Sequence, residues 1–185
     1  MNQQDILIQE IINIKMKYRQ LSIEHWLNFE LFTWVWWLGV ASVIVPLILW
    51  WKMVDRKRIL DICIFGLVVN IAATFLDVSG SEYVLWEYTI RVIPHIPLIF
   101  PVDYILLPVV GMLIYQYFPN WKRFLFANTV SAAVLAFIVE PFATMIHQYK
   151  LIHWKYIYSF PIYILIAIFA KLVTQKLLSQ RQEKS

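Results

Sequence analysis

Four acidic side chains fall inside or at the rim of long apolar runs: Asp61, Asp77, Asp103 and Glu140. A carboxylate placed in hydrocarbon costs several kcal/mol, so it must find partners, give up its charge, or mark a ligand or ion path. In its neutral form, inside an apolar cavity, it is a proton donor able to protonate an alkene or an oxygen. Asp61 stands three residues from Arg58 in a basic connector and reads as half of an interfacial ion pair. The other three belong to patterned helices.

Gly66, Asn70, Ala73, Thr74 and Asp77 recur at three and four residues, which makes one helix face small and polar between flanks of Leu, Val and Ile. Asn128, Ala132, Ala136, Glu140 and Thr144 step in fours and do the same on a later helix. Both acids are therefore aimed into a bundle. Asp103 follows Pro101 and, at helical spacing, stands over Leu107 and Gly111. Trp86, Glu87, Tyr88, Arg91, His95 and His147 lie in the connectors nearest these acids, with Asn70 and Tyr104 inside the neighbouring runs. They are the binding candidates, expected to close a polar cavity under a lid formed by residues 82–93.

The elements that must position these groups are membrane spans. Apolar residues make up 61% of the 185-residue chain and charged residues 15%, too few charges to cover a water-facing surface. Runs of about 20 apolar residues match a hydrocarbon thickness of ~30 Å. The expected fold is all-α: about five transmembrane helices at residues 31–51, 59–78, 96–118, 124–146 and 156–178. An N-terminal amphipathic interfacial helix over residues 1–30 precedes them, and a polar tail at 179–185 follows. Pro108 should kink the third span and free the Tyr104 carbonyl, a defect tolerated only where protein or water satisfies it. Spans two and four both run toward the face at which span three begins, so Asp77, Glu140 and Asp103 belong to the same half of the bilayer.

The 16 Lys and Arg flank the apolar runs instead of forming a stripe, which favours membrane lipids over nucleic acid as partner. Ten of them fall on the side of the C-terminus and six on the side of the N-terminus. The expected location is thus a multi-pass cytoplasmic membrane protein with its N-terminus outside and its C-terminus cytoplasmic. Lys171 reads as a snorkelling anchor. A lone cysteine, Cys63, permits no internal disulfide, and no cleaved leader is expected ahead of Leu31.

No close-spaced ligand pair, phosphate-cradling glycine loop, nucleophile elbow or His-rich box occurs, so neither a metal nor a cofactor is expected. Three function classes stay open. An enzyme or binder for a lipid-like or isoprenoid ligand would use Asp103 or Glu140 as general acid, Asp77 to orient it, and the Trp86 and Tyr88 rings to stabilise a developing cation. A proton-coupled transporter would load the same acids and, with so few spans, act as a homodimer. A non-catalytic membrane partner would be recognised through its N-terminal arm.

The segments Leu85-Trp86-Glu87-Tyr88, Phe100-Pro101-Val102-Asp103-Tyr104 with Pro108, Tyr115-Gln116-Tyr117-Phe118-Pro119-Asn120-Trp121-Lys122, Glu140-Pro141 and Tyr158-Ser159-Phe160-Pro161 resemble an uncharacterised family of small multi-pass membrane proteins from spore-forming Gram-positive bacteria. That resemblance spans about the last two thirds of the chain and implies a membrane location without an assigned activity. Pro101-Val102-Asp103 is also similar, over these few residues, to the integral-membrane lycopene cyclases, in which a proline precedes paired acids. Here Tyr104 replaces the second acid.

Overall fold

Apolar runs alternating with basic or proline-bearing connectors fix the order of elements. The computed structural model describes residues 2–94 and 102–182, without the side chains of residues 102, 103, 181 and 182. Its helices are α1 (Gln3–His25), α2 (Trp34–Met53), α3 (Ile59–Glu82), α4 (Leu107–Tyr117), α5 (Trp121–Val134), α6 (Glu140–Met145) and α7 (Tyr156–Gln182). Single π-helical turns occur at Trp26–Glu30, Val102–Leu106 and Leu135–Val139, the last joining α5 and α6 into one rod. Two short strands, β1 (Trp86–Tyr88) and β2 (Tyr149–Leu151), pair antiparallel. Four helical stretches are long and apolar enough to cross a membrane: Trp34–Met53, Arg56–Glu82, Trp121–Met145 and Tyr156–Gln180; a shorter apolar helix covers Tyr104–Tyr117. The chain is an all-α bundle and an integral membrane protein.

Its packing inverts that of a soluble domain. Phe75 and Phe126 are 70% and 74% exposed on the outside, whereas small residues such as Ala132, Ala136 and Ala170 fill the interior, where they let backbones approach. At the centre Phe65 stacks on Tyr115, with ring centroids 4.6 Å apart, and meets Phe124 edge-on at 6.1 Å. Gly111 admits the Phe65 ring, which would lie 3.2 Å from an added Cβ.

Several interruptions of the helices have named partners. The Tyr104 carbonyl, one turn before Pro108, accepts the Asn70 Nδ2–H at 3.1 Å, so protein satisfies the defect that the proline creates. Gln116 holds the α2–α3 connector by donating to the Met53 carbonyl and accepting the Asp55 N–H, both at 2.9 Å. Arg58, expected to pair with Asp61, reaches the Gln116 carbonyl instead. Lys171 is 1% exposed and does not snorkel. Pro119 stops the chain between α4 and α5, and the Lys171 ammonium caps its carbonyl at 2.9 Å while lying over the Trp121 and Phe124 rings at 4.7 and 4.0 Å.

α3 and α6 end alike. Leu85 N–H bonds back to the Gly80 carbonyl and Val84 N–H to that of Ser81; Gln148 and His147 repeat this with Ala143 and Thr144. Each is a Schellman ending whose left-handed residue is usually glycine; here Val84 (φ 54°) and His147 (φ 55°) occupy it. These paired reversals throw β1 and β2 across the same end of the bundle. α1 buries none of its residues, and its last turn and the π-turn that follows bond to this end of the bundle.

Candidate functional site

A two-stranded pair with period two presents alternate side chains to opposite faces. The register sets Trp86 against Leu151, Glu87 against Lys150 and Tyr88 against Tyr149. Trp86, Tyr88, Tyr149 and Leu151 consequently pack down onto the bundle as one cluster with Ala143, leaving the oppositely charged Glu87 and Lys150 on the outer face. The lid is an amphipathic β-pair.

Beneath it, Asp77 sits on the last full turn but one of α3 and is buried. Its Oδ1 accepts the Trp86 indole N–H at 3.1 Å and the Tyr88 hydroxyl in a short bond. Gly80, three residues along the same face, makes room: an added Cβ would lie 2.0 Å from the Trp86 ring. Glu140 begins α6 and accepts three hydroxyls, from Tyr163 at 2.6 Å on Oε1 and from Ser159 at 3.0 Å and Tyr149 at 3.3 Å on Oε2. Those donors replace the water that a carboxylate loses in the membrane. The Ser159 oxygen in turn accepts the Trp154 indole N–H at 3.0 Å, and Trp154 meets Trp86 edge-on at 5.0 Å. Burial and the neighbouring Glu140 carboxyl push the Tyr149 hydroxyl well above its usual range, so it stays a proton donor.

Asp77 and Glu140 line one cavity of about 310 Å³ between α3, the α5–α6 rod, α7 and the lid. Its apolar wall comes from Leu76, Leu107, Val139, Ile162 and Ile166; aromatic rings from Tyr83, Trp86, Tyr88, Tyr149, Trp154 and Tyr163 line the rest.

A second polar cluster lies on the other side of the lid. Glu30, fully buried, accepts the Arg91 guanidinium at 2.7 Å and also its backbone N–H, and His25 Nδ1 stands 2.8 Å away. Arg91 donates to Ser22, while the Trp26 and Trp36 indoles donate to the Arg91 and Val92 carbonyls. These bonds clamp the α1–α2 junction onto the chain just after β1.

Of the candidates drawn from the sequence, Asp77, Glu140, Trp86 and Tyr88 share the cavity. Asn70 and Tyr104 bond to each other one level deeper, outside it. Glu87 faces away, toward Arg91 and Tyr18; Arg91 belongs to the Glu30 cluster. His147 is exposed at the α6–β2 reversal, where its carbonyl accepts the Thr89 hydroxyl. His95 and the Asp103 side chain lie outside the described residues. Sequence reasoning did not single out Gly80, Tyr149, Trp154, Ser159 or Tyr163. Among the described residues, no group of three His, Cys, Asp or Glu side chains is placed to hold a metal.

Comparison with known families finds no matching family model, and neither a curated protein nor a solved structure matches the chain.

Proposed function

We propose that this membrane protein takes the polar end of a hydrophobic, lipid-like or isoprenoid ligand into the cavity between Asp77 and Glu140, with the ligand arriving from the bilayer. The observation that carries this reading is the convergence of two intramembrane acids from different helices on one cavity under an aromatic lid. Bundle cohesion accounts for the bonds from α7 to Glu140 but not for the open space between the two acids. Leu76 on α3 and Tyr83 just after its end, both lining the cavity, are 41% and 79% exposed, which gives an apolar tail a lateral way out. By the distribution of Lys and Arg, the cavity and α1 lie on the outer side of the cytoplasmic membrane.

The test is mass spectrometry of the lipids that co-purify with the wild-type protein and with its Asp77→Asn and Glu140→Gln variants. A defined species retained by the wild type and lost from folded variants supports the reading. The same bulk lipids in all three would overturn it.

A further inference from the structure

α1 buries none of its 23 residues, and we propose that it pairs with α1 of a second copy as a parallel two-stranded coiled coil. Leu7, Ile11, Ile14, Tyr18 and Leu21 follow one another at alternating steps of four and three residues, the spacing that keeps one narrow seam turned toward a partner helix. All five are between 53% and 62% exposed, so the seam is open along its length. In a heptad written a to g, Ile11 and Tyr18 take the a positions and Leu7, Ile14 and Leu21 the d positions. Branched Ile at a with Leu at d favours two parallel strands. At its lower end the helix is fixed to its own bundle, where Glu87 and Arg91 approach Tyr18 and Arg91 donates to Ser22, so each bundle holds one strand by its base.

Charge favours a second copy over the membrane surface as the occupant. A helix that lies on lipid carries an excess of Lys and Arg opposite a broad apolar face. Here Asp5, Glu10 and Glu24 balance Lys15, Lys17 and Arg19, so anionic head groups gain little. The remaining apolar residues, Ile6, Ile12, Met16 and Ile23, are set among polar ones away from the seam, while Ile8 widens it at an e position. Glu10 stands at g and Lys15 at the e position of the next heptad, the two places that face each other across a parallel pair. Within one helix these two side chains point roughly 140° apart, so their complementarity acts between helices. A second copy supplies both halves: Glu10 of each strand meets Lys15 of the other, twice by symmetry.

The experiment is disulfide cross-linking of the full-length protein in liposomes at a low protein-to-lipid ratio. Leu7→Cys, Ile14→Cys and Gln9→Cys are introduced singly in a Cys63→Ser background, Gln9 lying on the face opposite the seam. Leu7→Cys and Ile14→Cys should form covalent dimers at least about fivefold faster than Gln9→Cys. Adding Glu10→Lys to Ile14→Cys should slow the reaction roughly threefold, and Glu10→Lys with Lys15→Glu should restore it, a rescue that chance collision cannot give. Failure of that rescue overturns the parallel register. Equal rates at all three sites, or no dimer through residues 7 and 14 in protein with an intact thermal transition, overturn the pairing itself; quenching of a fluorophore at residue 14 by spin-labelled lipid would then assign the seam to the membrane surface. The substituted side chains lie on a helix that buries none of its residues, so the bundle keeps its fold.

Discussion

Tyr88 and Tyr149 oppose each other across the lid and stack with ring centroids 5.9 Å apart, yet their hydroxyls serve different acids: Tyr88 donates to Asp77 and Tyr149 to Glu140. The stack therefore couples two carboxyls that lie on separate helices. It also links the lid to the cavity floor, so that any displacement of the strands disturbs both acids together.

Replacing either tyrosine with phenylalanine keeps the stack and removes one donor. Glu140 retains Tyr163 and Ser159, and the bond it loses is long at 3.3 Å, so Tyr149→Phe should cost under about 1 kcal/mol. Tyr88 is buried and donates to the buried Asp77 carboxyl; Tyr88→Phe, which deprives a buried acceptor of a donor, should cost ~1–3 kcal/mol. Denaturant titration of the two variants in detergent checks the order, and equal losses would mean that the two acids are not differently served.

Gly80 and Gly66 lie on the same helix and both approach a side chain more closely than a Cβ allows, but the neighbours differ. At Gly66 the obstacle is Met112, with Sδ 2.5 Å from an added Cβ, and a thioether can rotate away. At Gly80 the obstacle is the Trp86 indole, a rigid ring held by its bond to Asp77. Gly80→Ala should destabilise by ~1–3 kcal/mol through overpacking, shift tryptophan emission and abolish ligand retention. Gly66→Ala should keep retention, its strain partly offset by the ~1 kcal/mol that alanine gains over glycine in a helix. Retention by both variants would show that the placement of Trp86 does not matter.

How much of this was legible follows from distance along the chain. Helical steps of three and four residues placed Asp77 and Glu140 on inward faces because that information is local. Tyr149 escaped because its partner stands 61 residues earlier, and three-residue strands are too short to read as alternation. The signal was nonetheless present: Tyr149-Lys150-Leu151 mirrors Trp86-Glu87-Tyr88 as two rows of apolar, charged, apolar. That same period of two sends Glu87 outward, which nearness in sequence to Trp86 and Tyr88 concealed. Ser159 and Tyr163, four apart and ahead of the buried Ile166, Ala167 and Ala170, repeat the inward stripe of the other helices. The Glu30–Arg91 pair had no periodic signature at all.

That pair offers a sharper mechanical test. Glu30 is completely buried and Arg91 nearly so, hence removing Arg91 leaves a desolvated carboxyl with half-exposed His25 beside it, at a cost of up to ~3–5 kcal/mol, whereas exchanging both for apolar residues is close to neutral. Arg91→Met should release the end of α1 and expose residues 26–33 to limited proteolysis; Glu30→Leu/Arg91→Met should restore protection. Rapid cleavage of the double variant would show that the ions, and not packing, hold the junction.

Glu87, outside the spans and half-buried on the outer face of the lid beside Arg91 and Tyr18, gives the pH dependence its sign. Burial raises its carboxyl above the ordinary 4.5, against the opposing pull of Arg91. The folded state consequently favours the protonated form, and the associated stability is fully present below pH 4.5 and is lost as pH rises through the raised value. Glu87→Gln removes that loss. The variant and wild type should unfold at the same temperature near pH ~4, and the variant should be the more stable by pH ~7. Thermal unfolding of both proteins across this interval measures the gap, and a gap that narrows toward neutral pH would mean that attraction to Arg91 outweighs burial at this position.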